Sequence, residues 1–184
     1  MTEKEKMLAG LHYDPTDTQI RSMIQRARQL TEEFNQTSAL EREKRHQIIA
    51  KLFGSIGKNT LIESPFQCDF GENIHVGENF FANFGCVILD VAPVHIGQNC
   101  FIGPQVGIYT ATHPLDPMER ISGLEYAKPV TLGDNCWIGG HAVINPGVTL
   151  GDNVVVASGA VVTKSFDSNL VIGGNPARVI KVIK

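Results

Sequence analysis

The chain has 184 residues, 42% hydrophobic residues and a formal net charge of −3, which are ordinary values for one globular domain. The small negative charge does not favour binding to nucleic acid or to a membrane surface. No apolar run approaches the roughly 20 residues that a membrane-spanning helix needs, and the charged start MTEKEKM does not resemble a signal peptide. We therefore expect a cytoplasmic protein with no nucleic-acid or membrane partner.

Residues 1–53 predict a segment of two or three amphipathic helices. Thr2-x-x-Glu5 is a capping-box pattern, which predicts a short helix that ends at Gly10. Six apolar residues between 20 and 34 follow helical spacing. This second helix has two candidate caps, Thr16 and Asp17.

A further helix is predicted from Ser38-x-x-Glu41, which is again a capping-box pattern. Its apolar positions would be Leu40, Ile48, Ile49, Leu52 and Phe53. We expect the apolar faces of all these helices to pack on the segment that follows.

Residues 54–166 carry a six-residue repeat. Fifteen positions at this spacing form five blocks of three, and thirteen of them are Ile, Leu or Val. The positions are 56, 62, 68, 76, 82, 88, 96, 102, 108, 132, 138, 144, 150, 156 and 162. A period of six matches neither a helix nor a single strand, so the chain turns a corner every six residues and completes a coil every eighteen. Stacked coils predict a prism with three flat parallel sheets.

Interruptions divide the rest of the chain. The spacing slips from six to eight after positions 68 and 88, which predicts a two-residue bulge at one corner of each coil. The step from Ile108 to Leu132 leaves about 18 extra residues, so residues 109–129 must leave the coil as a loop, and long loops are often functional. Residues 167–184 form a tail in which a turn precedes a terminal strand.

The cysteines and two histidines fit the repeat as structural residues. Cys68 occupies a repeat position, and the other three lie four residues after one, so all four are expected to be reduced core residues. His75 and His95 precede equivalent positions one coil apart, which predicts that they stack on an outer face.

The shape of the prism also bears on the oligomeric state. A narrow prism leaves its faces exposed, which favours a symmetric homo-oligomer, and a trimer suits three sides.

Seven stretches in chain order resemble a known family. They are MLAGLHYD, FFANFGCVILD, ATHPLDP, GDNCWIGG, INPG, VVTK and GGNPARVIK. On these stretches the chain resembles the maltose and galactoside O-acetyltransferase group of the hexapeptide-repeat acyltransferases. The resemblance implies a mainly β fold, a left-handed parallel β-helix of about five coils. It also implies a homotrimer with active sites between subunits, and acetyl transfer from acetyl-CoA to a hydroxyl of a sugar such as maltose or glucose.

His113 is the candidate catalytic residue. It lies in the predicted loop and precedes Pro114, which restricts its backbone. Neutral histidine suits a general base because its unperturbed pKa is about 6.5. The residues alone leave open a solvated loop histidine, whereas the match to ATHPLDP implies the general base. No Cys or Ser is paired with His113 in the sequence pattern, so direct attack without a covalent enzyme intermediate is expected.

The resemblance also implies binding residues. The implied acceptor-binding positions are Asn83 and Asp69. Glu125, late in the loop, is a candidate either to orient His113 or to hold the acceptor. Asp17 or Asp14 is a candidate to reach the sugar from the helical segment, and Asp17 is equally well explained as a helix cap. The implied coenzyme-binding positions are Gly140, Ser158, Thr163, Lys164, Arg178 and Lys181. Trp137, the only Trp, is expected to bind beside the coenzyme rather than lie in the core, because a six-residue turn leaves little interior room. No metal is expected.

Three alternative functions remain open at this stage. The same chemistry could act on a galactoside, an amino sugar, a lipid-linked oligosaccharide or an antibiotic hydroxyl. A metal-dependent hydratase on a similar β-helix is disfavoured because no two histidines have the His-x4-His spacing of such enzymes. A non-catalytic β-helix scaffold would not need the His113 loop or the basic tail.

Overall fold

The computed structural model describes residues 1–184. Three helices precede the coils: α1 (Glu3–Leu8), α2 (Thr18–Gln36) and α3 (Arg42–Leu52). The first three coils contain β1 (Ser55–Ile56), β2 (Leu61–Ile62), β3 (Phe66–Cys68), β4 (Ile74–Val76), β5 (Phe81–Ala82), β6 (Cys86–Leu89), β7 (Val94–Ile96), β8 (Phe101–Ile102) and β9 (Gly107–Tyr109).

A loop and two further coils follow. The loop contains β10 (Ala111–Thr112), α4 (Pro117–Ile121) and β11 (Tyr126–Ala127). The later coils contain β12 (Val130–Leu132), β13 (Trp137–Ile138), β14 (Val143–Ile144), β15 (Thr149–Leu150), β16 (Val155–Val156) and β17 (Val161–Val162). The tail contains β18 (Leu170–Gly174) and β19 (Ala177–Val182).

The coils stack into three sheets, as the six-residue period predicts. Their strand orders are β1-β4-β7-β12-β15, β2-β5-β8-β13-β16-β18-β19 and β3-β6-β9-β14-β17. Neighbouring strands are parallel within the coils, and β18 adds to β16 as a partial sixth turn. The chain therefore forms a parallel β-helix of five complete coils and part of a sixth, slightly more than the five predicted.

The repeat positions form the core. Thirteen of the fifteen side chains are buried, and the other two, Ile56 and Cys68, are half-buried in the first coil. Cys86, Cys100 and Cys136 are also buried, and all four cysteines are free thiols. Burial of this continuous apolar column is the main stabilising contribution to the stack.

One row of corners is built from asparagines. Asn59, Asn79, Asn99 and Asn135 all have a positive φ, between 55° and 59°, which asparagine tolerates better than most residues. Their side-chain amides bond to one another along the stack, for example Asn79 Nδ2 to Asn99 Oδ1 at 2.8 Å. The same side chain therefore satisfies the corner geometry and joins successive coils.

The first two predicted helices are confirmed, and the third begins later than predicted. Thr2 and Glu5 form the reciprocal capping box, and Asp17 rather than Thr16 caps α2. The prediction of a helix start at Ser38 is wrong, because Ser38 Oγ accepts from Leu40 N at 3.3 Å and closes a turn before the helix. Leu40, predicted to be an apolar helix position, is 92% exposed in this turn.

The helices cover the first coil and the base of the loop. Phe34, Ile48 and Leu52 join the main core. A second apolar cluster contains Met7, Tyr13, Ile20, Phe70, Val91, Ala92 and Ala127, which come from the N-terminal segment, two coil corners and the loop. The N-terminal segment therefore reaches the loop that contains His113. No helix in the chain is long and apolar enough to cross a bilayer.

The loop leaves the coil and the two histidines stack, as predicted, whereas the tail differs from its prediction. The loop is a β10–β11 hairpin with α4 at its tip, and its apolar residues Leu115, Met118 and Ile121 are exposed. The tail is an antiparallel hairpin rather than a single strand after a turn. The rings of His75 and His95 stack with centroids 4.8 Å apart.

Candidate active site

A groove of about 750 Å³ runs along the outer surface of the sheet that contains β5, β8, β13 and β16. Phe81, Asn83 and Phe101 line it on the earlier coils, and Gly140 and Ser158 line it on the later ones. Four sequence-predicted residues, Asn83, Trp137, Gly140 and Ser158, therefore lie in one groove.

The shape of this groove depends on glycine corners. A Cβ added to Gly103 would lie 2.6 Å from the Gly140 backbone nitrogen, and one added to Gly139 would lie 2.6 Å from the Ser158 nitrogen. Side chains are therefore excluded where successive coils approach each other most closely. Apolar side chains also line the groove, and the most exposed of them are Trp137 at 57% and Phe101 at 52%.

Four predicted coenzyme residues lie outside the groove lining. Thr163 and Lys164 are exposed after β17, and Lys164 Nζ lies 5.4 Å from the centre of the Phe166 ring. Arg178 and Lys181 are exposed on β19, the edge strand of the sheet that forms the groove floor. The three cations are therefore exposed near the C-terminal end of the stack, outside the groove lining.

His113 directly follows β10, at the point where the paired part of the β10–β11 hairpin ends and the tip with α4 begins. The hairpin pairs Thr112 with Tyr126, so the next residue on each strand places His113 opposite Glu125. His113 is exposed, and it is not among the residues that line the groove. Within one chain, the His113 side chain therefore does not form part of the groove wall.

Glu125 is held by the N-terminal segment. Tyr13 N donates to Glu125 O at 3.0 Å, and the Tyr13 hydroxyl donates to Glu125 Oε2 at 2.9 Å. Burial, and then the nearby Glu125 charge, raise the pKa of Tyr13. This phenol therefore stays protonated at neutral pH and remains a donor to the carboxylate.

Asp69 lies close to the Glu125 carboxylate. Burial, and then the negative charge of Glu125, raise the pKa of Asp69 to about 6, while Arg28 has the opposite effect. At pH 7 and above Asp69 is mainly a carboxylate, which can accept hydrogen bonds from hydroxyl groups. Asp69, Glu125 and Tyr13 thus form a polar cluster where the first bulge, the loop and the N-terminal segment meet.

Asp17 is the cap of α2. Its Oδ1 accepts from Gln19 N at 2.9 Å and from Ile20 N at 3.2 Å. The helix-capping interpretation of Asp17 is therefore confirmed, and a contact with the acceptor stays a prediction.

Family models match more than half of the chain. Residues 6–57 match the maltose acetyltransferase hexapeptide capping motif, and residues 93–110 and 129–164 match the hexapeptide repeat of succinyl-transferase. A putative acetyltransferase of Dictyostelium discoideum is 57% identical over 183 residues, covering 100% of this chain and 95% of that protein.

The structural comparison agrees with the sequence comparison. A solved structure of a maltose O-acetyltransferase from Clostridium difficile 630 has a TM-score of 0.99 and 52% identity, covering 100% of this chain and 98% of that one. The chain belongs to the maltose and galactoside O-acetyltransferase group of the hexapeptide-repeat acyltransferases. A solved galactoside acetyltransferase in complex with coenzyme A has a TM-score of 0.97 and 40% identity, covering 100% of this chain and 92% of that one. The predicted resemblance is confirmed.

Some residues of the candidate site were not predicted from the sequence. Phe101 and His141 line the groove, and Tyr13 holds Glu125. Phe101 pairs in register with Trp137, so an inspection of outward positions one coil apart would have found it. Tyr13 and Glu125 are 112 residues apart, and no spacing rule links them.

Proposed function

We propose that the protein transfers the acetyl group of acetyl-CoA to a hydroxyl of a sugar such as maltose or glucose, with His113 as general base. The observation that carries the proposal is the groove in which Asn83 lies on the same surface as Trp137, Gly140 and Ser158. An acceptor candidate and three coenzyme candidates would thus face the same reacting group.

In this proposal the coenzyme lies along the groove. The pantetheine arm would run past Trp137 and the glycine corner at Gly140, where backbone groups can approach closely. The phosphates would meet Lys164, Arg178 and Lys181, since cationic side chains form strong hydrogen bonds with phosphate oxygens. Ser158 and Thr163 supply hydroxyl groups beside this path.

The acceptor sugar would bind between Asn83 and the polar cluster. Carboxylates accept hydrogen bonds from sugar hydroxyls, so Asp69 and Glu125 would orient the ring while Asn83 contacts it from the groove. Asp17 is a further candidate, although its Oδ1 also caps a helix. In this arrangement Tyr13 keeps Glu125 in place.

The proposed reaction is a direct transfer. Neutral His113 takes the proton of the sugar hydroxyl as that oxygen attacks the thioester carbonyl carbon. Backbone N–H groups at the groove stabilise the tetrahedral oxyanion. The C–S bond then breaks, the sulfur takes the proton from the imidazolium, and coenzyme A leaves as the free thiol. Initial-rate patterns that intersect, rather than run parallel, would support this sequence.

We further propose a cytoplasmic homotrimer with sites shared between subunits. His113 and the groove are separate within one chain, and a neighbouring copy would bring them together. The exposed apolar residues Leu115, Met118 and Ile121 follow one another closely on the loop and support a contact of this kind, because a group of exposed apolar side chains often marks an interface. The free cysteines suit a reducing compartment.

Replacing Trp137 by alanine is expected to raise the KM for acetyl-CoA by roughly tenfold, because an exposed indole supplies a large contact area in the groove. Steady-state kinetics with acetyl-CoA varied at saturating acceptor would measure the effect. Leu61→Ala is the matched control, since Leu61 lies on the same outer face three strands away. An unchanged KM for acetyl-CoA in the Trp137 variant would remove this residue from the coenzyme site.

A sugar panel tests the acceptor. The protein, acetyl-CoA and one candidate acceptor would be mixed, and thiol release would be compared among maltose, glucose, galactosides and amino sugars. The highest kcat/KM for maltose or glucose is expected. A preference for a galactoside or an amino sugar would keep the chemistry and change the acceptor. No release with any member would favour a non-catalytic scaffold.

A further inference from the structure

Asp90 is a carboxylate in the protein interior that the proposed reaction does not use. It directly follows β6, and its exposed fraction is 0%. It takes part in neither of the two ion pairs of the chain, which join Lys4 to Glu72 and Lys6 to Glu3. A buried carboxylate without a cation is costly unless hydrogen bonds satisfy its oxygens.

Backbone donors supply those hydrogen bonds. Asp90 Oδ1 accepts from the nitrogens of Asp69 at 3.0 Å and Phe70 at 2.9 Å, and Oδ2 accepts from Asn73 N at 3.3 Å. Asn73 Nδ2 in turn donates to the Asp90 carbonyl oxygen at 2.7 Å. All three donors to the carboxylate belong to residues 69–73, the bulge that follows β3 in the preceding coil.

This bulge has no strand partner of its own. The β3–β6 ladder ends at the pair Cys68 and Ile88, and the repeat then slips from six residues to eight. The N–H groups of Asp69 and Phe70 therefore leave the ladder, and buried N–H groups require another acceptor. Asp90 is that acceptor for both groups.

We propose that Asp90 is a positioning residue for the acceptor site. Its carboxylate fixes the backbone from which the Asp69 side chain projects, and so sets how well that side chain binds the acceptor. The inference rests on the proposed function in one respect, namely that Asp69 contacts the acceptor. Burial raises the pKa of Asp90 to about 7 against the effect of its N–H donors, so kinetic tests belong at pH 8, where the carboxylate form predominates.

Asp90→Asn tests the inference with little change in size. The amide directs an NH₂ group toward at least one backbone N–H group, so a hydrogen bond to the bulge is lost. With maltose as the probe, the KM for maltose is expected to rise roughly tenfold, as for loss of a charge-assisted hydrogen bond. The kcat and the KM for acetyl-CoA should change by less than about twofold.

Asp134→Asn is the matched control. Asp134 Oδ1 also accepts a corner N–H, that of Gln98 at 2.9 Å, but at a corner that holds none of the acceptor candidates. The control should leave the KM for maltose unchanged. Equal rises of the two KM values in Asp90→Asn, or no rise in a folded protein, would overturn the inference.

A double-mutant cycle separates positioning from a general structural effect. If Asp90 acts through Asp69, Asp90→Asn should add little to the KM for maltose when Asp69→Asn is already present. Additive effects of the two substitutions would contradict the inference, even if each one alone raised the KM.

A measurement without turnover keeps this test distinct from the test of the function. Amide hydrogen exchange should be faster in folded Asp90→Asn than in the wild type for at least one of the three donors Asp69, Phe70 and Asn73, and unchanged in Asp134→Asn. If the wild type acetylates no acceptor, the proposed function is wrong. Hydrogen exchange alone then tests whether Asp90 holds the backbone of the bulge in place. Unchanged exchange at all three amides would refute the claim that Asp90 holds the bulge in place.

Discussion

Replacement of His113 by alanine is expected to lower kcat by roughly 10²- to 10⁴-fold, the usual contribution of a positioned general base. Without the imidazole, the hydroxyl proton of the sugar has no acceptor as the oxygen attacks the thioester. The side chain is exposed at the end of a hairpin, so its removal should leave the fold and the KM for acetyl-CoA nearly unchanged. Steady-state thiol release at pH 8 would measure the loss.

His95→Ala is the matched control for this prediction. His95 is also exposed, and it stacks on His75 on a different sheet from the one that carries the groove. Its variant should keep the wild-type kcat. A His113→Ala protein with near-normal kcat would show that another group, or water, takes the proton.

Replacement of Ile138 by alanine is expected to lower the free energy of unfolding by about 2–5 kcal/mol, as for other large aliphatic side chains removed from a core. Ile138 is 0% exposed in the fourth coil, and its strand pairs with both the preceding and the following coil. The cavity would therefore remove contacts with three layers of the stack. Denaturant unfolding at a fixed protein concentration would measure the change.

Val182→Ala provides the comparison for the core substitution. Val182 is 65% exposed near the end of β19, so its truncation should cost less than about 1 kcal/mol. Similar losses for the two variants would contradict the conclusion that the column of repeat residues carries the stability of the coils.

The six-residue count predicted the coils because corners and core positions are local properties of the sequence. Every counted position except Ile56 and Cys68 is buried, and those two are half-buried in the first coil, at the end of the stack. A different local pattern, the capping box, failed at Ser38. A capping-box pattern states only which hydrogen bonds are available, and here they close a turn before α3.

The candidate site was predicted only in part because much of it depends on contacts between distant segments. The resemblance supplied Asn83, Gly140 and Ser158, and the narrow interior of the coils supplied Trp137. The structure brings these four into one groove. Nothing in the sequence indicated that Tyr13 holds Glu125. The sequence also did not indicate that Asp90 is buried, because an aspartate at the end of a strand is usually an exposed turn residue.

The interruptions of the repeat hold most of the polar chemistry. The loop carries His113 and Glu125, the first bulge carries Asp69, and the tail carries Arg178 and Lys181. The coils between them have apolar interiors and closely stacked corners, which suits a rigid support. A site built on bulges and loops can vary its acceptor while the supporting coils stay the same.

The most direct test of the account is the stoichiometry of one reaction. Wild-type protein, acetyl-CoA and maltose would be incubated, and free thiol and O-acetylated maltose would be quantified together. The account predicts equal amounts of the two products, formed by the wild type and nearly abolished in His113→Ala. Thiol release without acetylated sugar, or no thiol release with any sugar acceptor, would contradict it.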